Sequence, residues 1–242
     1  RYQQKTEKPQ AALTFDDGFR NNYENAFPIL KKLNIPATIF LSTGFVDTKK
    51  TLWSCRLNKA LYETSAKELQ SITFRKLQTE LKTLPNSRLL EHCFDIIELV
   101  GGNMDEAIEE QSLYCMLDRA AIDDMLRSGL IDFGAHTNDH VILSRVPQSE
   151  QYLQISKSVA KVQELKGDRN VIFAYPNGTE GDYDHTSIQE LEKAGVEYAV
   201  TTKPGFNNHL TKPLELNRIA VGGDWRLGLF KFAIHTGQTS NI

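Results

Sequence analysis

Short apolar runs that stop abruptly at polar clusters, with stretches of helical period between them, constrain this 242-residue chain more than any other feature. Ala11 to Phe15, Pro36 to Leu41, Ile131 to Ala135, Val171 to Tyr175, Glu197 to Thr201 and a last run around Leu214 to Val221 each have the length and residue types of a buried strand. Between the first two, Tyr23, Ala26, Phe27, Leu30 and Leu33 recur at helical spacing. Pro28 marks a kink or a helix start there, and Asn34 supplies a stop. Gln148 to Leu165 predicts an amphipathic helix with Tyr152, Ile155, Val159 and Val162 on one side; Ser187 to Ala194 predicts another, stopped by Gly195, and Trp225 to Ile234 a last one. Such alternation implies parallel strands joined by helical crossovers. The expected class is α/β, a single barrel-like domain over residues 1–242.

Residues 47–128 break the rhythm. Leu57, Ala60 and Leu61, then Leu69, Ile72, Leu77, Leu81 and Leu84, then Leu89, Leu90, Ile96, Ile97 and Val100 recur at spacings of three and four, between turn signals at Pro85-Asn86 and Gly101-Gly102. This predicts a helical insertion, which either covers and extends a cleft or forms an accessory layer. Trp53 at its start suits either a sugar-stacking platform or a core position. A final helix from Asp118 to Ser128 ends at Gly129.

The 28 basic and 31 acidic residues give a net charge of −3 with no basic block, which argues against a nucleic-acid partner. No apolar run approaches the roughly 20 residues of a membrane helix. Cys55, Cys93 and Cys115 are odd in number and form no CxxC, so they are expected as small, mostly buried apolar residues rather than a disulfide or zinc framework. The chain begins at Arg1 rather than Met, as if an upstream segment had been removed or left out. A soluble domain, cytoplasmic or associated with a bacterial cell envelope, is the expected setting.

Three of the runs deliver chemistry at their ends: Asp16-Asp17-Gly18, His136-Thr137-Asn138-Asp139-His140, and Pro176-Asn177-Gly178. In barrel-like α/β folds these positions line one mouth, so the three clusters are expected to converge. An isolated Asp-Asp-Gly is an ordinary turn signal, and HxxxH alone is weak. Together they give more. The i, i+4 spacing lets His136 and His140, on a helical turn or tight loop, grip one ion, and Asp17 completes a His₂-carboxylate set while Asp16 is left to accept a proton. The same donor set also occurs in Fe(II) oxygenases, although their strand pattern differs from this one.

The combination Thr14-Phe15-Asp16-Asp17-Gly18, His136 to His140, Phe173 to Gly178 and Leu214-Glu215-Leu216-Asn217-Arg218 resembles the polysaccharide deacetylase family, the NodB-homology group of carbohydrate esterases. The resemblance implies a distorted β/α barrel and a metal-dependent hydrolase that removes N-acetyl or O-acetyl groups from polysaccharides. Phe19, Asn21-Asn22-Tyr23 and the insertion look like the branch acting on exopolysaccharide or surface-glycan precursors. By matching position, Asp17, His136 and His140 would hold a divalent ion, most simply Zn²⁺ with Co²⁺, Ni²⁺ or Mn²⁺ as substitutes. Asp16 would be the general base and the backbone N–H of Asn177 an oxyanion donor, with Tyr175, Pro176 and Leu216 against the substrate. The sequence departs from the family pattern at Ala174, where arginine is common, at Asn177, where tyrosine is common, and at Arg218, where the family carries its acid histidine. Arginine is a poor proton donor, so Arg218 is expected to stabilise an oxyanion or read an anionic sugar, with His185, His209 or protonated Asp16 as the acid. A carbohydrate-binding protein that has lost turnover is the alternative.

Overall fold

The computed structural model describes residues 10–63 and 70–238. Five parallel strands, β1 (Leu13–Phe15), β2 (Ala37–Leu41), β3 (Ile131–Ala135), β4 (Phe173–Ala174) and β5 (Ala199–Val200), lie in chain order and form a curled half-barrel. Apart from Thr14, Thr38 and the exposed Asp132, their residues are apolar on both faces, as a sheet covered on both sides requires: Ile39, Phe40, Leu41, Phe133 and Phe173 are almost wholly buried. β2 and β3 pair over five residues, Ala37 with Ile131 through Leu41 with Ala135.

The crossovers are helices. After a π-helical turn at Asn22–Ala26, α1 (Phe27–Leu33) starts with Pro28 in its first turn and ends on left-handed Asn34, φ 53°. α5 (Arg119–Arg127) leads into β3, α6 (Gln148–Lys166) returns to β4, and α7 (His185–Lys193), capped by Asp184, returns to β5. On α6 the inward stripe runs through Gln151, Gln154, Ile155, Ser158, Val159, Val162 and Leu165. Tyr152, expected on that face, is 53% exposed, because it sits about 100° round the helix from Gln151.

Two other sequence expectations change. The run at Leu214 to Val221 is not a strand but a 3₁₀ turn, Pro213–Glu215, followed by a single parallel bridge between Leu216 and Val200. Pro213 has no N–H for a ladder, and the Leu214 carbonyl accepts the Tyr175 hydroxyl at 2.9 Å. The last helix, α8, is Leu227–Thr236.

Between β2 and α5, helices α2 (Trp53–Glu63), α3 (Gln70–Leu81) and α4 (Asn86–Leu99) enclose a second, small core of Leu57, Leu61, Leu81, Leu89, Cys93 and Ile97. Leu69, expected in this pattern, lies outside the described residues. α5 packs instead into the main core through Ala121, Ile122 and Met125. The three cysteines are free thiols: Cys93 is buried, Cys55 and Cys115 half-buried, and burial pushes the first two up to about 12.

Gly134 shows how tightly the sheet is filled. A Cβ there would stand 2.5 Å from the Phe40 ring and 2.7 Å from the Ile172 carbonyl. Gly134→Ala is therefore expected to lower unfolding stability by about 1–3 kcal/mol, read as a lower urea midpoint.

Candidate metal centre and catalytic cleft

Each cluster sits just past a strand, held in backbone geometry that few residues adopt. Asp17, Thr137, His140 and Asn177 all have left-handed φ, between 55° and 73°. Strain of this kind persists only where the surroundings over-determine it. The Asp17 carbonyl accepts Ser42 N–H at 3.2 Å. The histidine segment is a loop, not a helical turn, and it is pinned to α6 by Gln154, whose side chain accepts Asp139 N–H at 2.8 Å and donates to the Asp139 carboxylate at 2.8 Å. Gly44 lies against this loop with no room for a Cβ, 2.8 Å from the Asn138 carbonyl.

The loops bring Asp17, His136 and His140 together, their ligand atoms within 4.8 Å of one another. Asp17 Oδ1 is 3.4 Å from His136 Nε2 and 3.1 Å from His140 Nε2. Atoms held tetrahedrally around an ion at about 2.0–2.1 Å sit about 3.3 Å apart, so the two spacings from Asp17 suit a zinc-like ion. Proton placement fits as well. His136 Nδ1 lies 2.7 Å from the Ala174 carbonyl, which can only accept, so Nδ1 carries the hydrogen and Nε2 of the neutral ring presents its lone pair to the centre. Three acceptors facing one another need a proton or a cation between them, and electrostatics reflects this. Burial raises the Asp17 carboxyl, but His140 and His136 outweigh it and hold it well below the usual range. Burial lowers His136, while its bond to Asp17 and the charges of Asp16 and Asp17 leave it raised overall.

Asp16 is not free. Arg218 Nη1 and Nη2 donate to its two oxygens at 2.7 and 2.8 Å, and Arg218 Nε donates to the Thr201 carbonyl at 2.7 Å. Burial raises Asp16, but the positive charge of His136 when that ring is protonated, and the guanidinium fork, more than offset it, so its pKa is lowered. Arg218 therefore has its donors turned to Asp16 rather than to a sugar or an oxyanion. The other expected residues divide. Asn177 lines the cleft, and its backbone N–H has no partner among the described residues. Tyr175, Pro176 and Leu216 do not line it: Tyr175 is fully buried, stacked on Tyr183 at 4.1 Å, Pro176 is buried, and Leu216 is half-buried with its backbone bonded to Ala199 and Thr201. The Tyr175 side chain packs in the core, with its hydroxyl donating to the Leu214 carbonyl at 2.9 Å.

The cleft has a volume of about 240 Å³. One wall is the half-barrel mouth, with Asp16, Asp17, His136, His140, Ile142, Arg145 and Asn177; the other is the α2–α4 segment, with Trp53 and Ser54 of α2, Gln78 of α3, Lys82 just past its end, and Asn86 and Leu89 of α4. Sequence reasoning missed Lys82. Its i, i+4 pairing with Gln78 reads equally well as a solvated helix face.

The model of the family described as polysaccharide deacetylase matches residues 3–199. The chain belongs to the polysaccharide deacetylase family. That membership removes the oxygenase reading of the donor set. The Staphylococcus epidermidis protein named poly-beta-1,6-N-acetyl-D-glucosamine N-deacetylase is 24% identical over 235 residues, covering 93% of this chain and 59% of that protein. The Bacillus subtilis protein YxkH is 22% identical over 209 residues, covering 86% of this chain and 50% of its own. The chain thus spans between half and three fifths of these relatives. Among solved structures, the Streptococcus pyogenes deacetylase PplD in complex with acetate superposes with a TM-score of 0.57 at 21% identity, over 88% of this chain and 65% of that one. A de-N-acetylase from Aggregatibacter actinomycetemcomitans gives 0.60 at 14% identity, over 94% and 76%. These likenesses concern the fold. Among the described residues no helix is long and apolar enough to cross a membrane.

Proposed function

We propose that this domain is a metal-dependent hydrolase that removes N-acetyl groups from a surface polysaccharide, with a β-1,6-linked N-acetylglucosamine polymer as the substrate class. The observation that carries the reading is the convergence of Asp17, His136 and His140 on one point beside an ionised carboxylate, Asp16, in a single cleft. The name of the staphylococcal relative supports the substrate class.

Asp17, His136 and His140 would hold the ion, which would supply Lewis-acid polarisation of the acetyl carbonyl and the attacking water. The Ala174 carbonyl fixes which nitrogen of His136 faces the ion. Asp16 takes the proton from the water, and its fork to Arg218 keeps it both ionised and aimed. As the carbonyl oxygen becomes an oxyanion, the Asn177 N–H, which has no partner among the described residues, donates to it. Trp53, half-buried against the second core, lines the cleft wall, where an indole would stack on a sugar.

Arg218→Ala is expected to cut turnover by about 10²-fold through misplacement of Asp16. Because both fork nitrogens face Asp16, the loss should be equal on neutral and anionic glycans. A loss confined to anionic substrates would show that Arg218 reads the sugar. The function itself is tested by measuring acetate and free amine from β-1,6- and β-1,4-linked N-acetylglucosamine oligomers with the zinc-loaded protein. Release from the β-1,6 series supports the reading. Stoichiometric glycan binding without release from any acetylated oligomer would favour the binding-protein alternative, which the arginine at position 218 suggests.

A further inference from the structure

Amide hydrolysis moves two protons, one off the water and one onto the departing nitrogen, since an amide anion is too basic to leave. Asp16 serves the first transfer; both its oxygens accept from Arg218, so a proton kept there would break the fork and is released to solvent instead of being carried to the nitrogen. Arg218, where the family resemblance expects an acid histidine, is tied to Asp16 and Thr201 and keeps its proton at any ordinary pH. His185 lines a separate groove with Lys212 and Glu215, and His209 is exposed and does not line the cleft. Among the described residues, the titratable side chains of the cleft wall are Asp16, Asp17, His136, His140, Lys82 and Arg145. Asp17 and the two histidines face one another across the candidate metal centre, Asp16 is the base, and Arg145 is another arginine. Lys82 is left.

We propose that Lys82, brought to the cleft by the insertion, is the general acid that protonates the leaving nitrogen. The proposal rests on the deacetylase reading above. Its basis is position: Lys82 stands on the insertion wall, across the cleft from the half-barrel mouth that carries Asp16, Asp17 and Asn177. It makes no ion pair among the described residues, so its ammonium is uncommitted. Burial lowers its pKa against the opposing charges of Asp182 and Asp17, which brings proton release closer to neutral pH than in a solvated lysine. In the collapse of the tetrahedral adduct, an N–H bond of the Lys82 ammonium breaks as one forms to the leaving nitrogen. The carbon–nitrogen bond breaks with its electron pair going to nitrogen, and acetate is left. Lys82, now neutral, recovers through solvent the proton that Asp16 took from water. One water is consumed for one acetate and one free amine.

The test compares wild type, Lys82→Arg and Lys82→Ala, each loaded with zinc, on a neutral N-acetylglucosamine oligomer and on 4-nitrophenyl acetate. The nitrophenolate leaves without a proton, so a missing acid affects the two substrates unequally. The expected result is a loss of about 10²–10⁴-fold on the oligomer in both variants and a far smaller loss on the ester. Zinc content should stay at the wild-type level, and added methylammonium should partly rescue Lys82→Ala. Lys82→Arg retaining oligomer turnover would overturn the proposal, because charge alone would then suffice. Equal loss on both substrates, or loss of zinc, would also overturn it, by assigning Lys82 a structural part. A wild type that cleaves neither oligomer nor ester would sink the deacetylase reading and this proposal together.

Discussion

Asp16→Asn is expected to lower acetate release by about 10²–10⁴-fold while the protein still takes up zinc as the wild type does. The substitution changes one atom and leaves Asp17, His136 and His140 in place. The amide oxygen can still accept one arm of the Arg218 fork, but the amide NH₂ meets a guanidinium N–H and that second bond is lost. Some stability should be lost with it, on the order of 1–3 kcal/mol, since a largely buried donor is left unpaired. Zinc content and melting temperature together separate the missing base from a damaged fold. An Asp16→Asn protein with full turnover would remove Asp16 from the chemistry.

His140→Ala and Asp17→Ala should abolish both metal uptake and turnover. An ion that binds only the folded protein stabilises it by about 2.7 kcal/mol at a hundredfold excess over its Kd. For a chain of this size that is a rise in Tm of roughly 5–10 °C on adding zinc. The rise should vanish in both variants. Each position has left-handed backbone, φ 73° at Asp17 and 55° at His140, so alanine also lowers the zinc-free Tm. The zinc-dependent difference, not the absolute Tm, is therefore the readout. Uptake should also weaken as pH falls, because His136, its pKa raised by Asp17 and Asp16, holds a proton more tightly and the ion must displace it.

The strand ends were the legible part. A buried parallel strand needs a continuous apolar run, and a run that breaks at Asp16, at His136 or at Asn177 announces both the strand and what it delivers. Less was visible where order comes from contacts remote in sequence. β4 and β5 shrink to two residues each, and the Leu214 to Val221 run stays out of the sheet apart from Leu216, for reasons that lie in Pro213 and in Tyr175, 39 positions before Leu214. Gln154 looks like a surface residue until its two bonds to Asp139 appear. Arg218 was recognisable as a departure, but its partner lies 202 residues away. Lys82 gave no signal, since the polar side of a helix carries the same letters whether it meets water or a cleft.

The most direct measurement is acetate release from an N-acetylglucosamine oligomer by protein stripped of metal, before and after zinc is returned. The stripped protein is expected to release negligible acetate, zinc to restore release, and His140→Ala to show no recovery. Turnover that is equal with and without metal, in a protein shown to be free of it, would contradict the assignment of Asp17, His136 and His140.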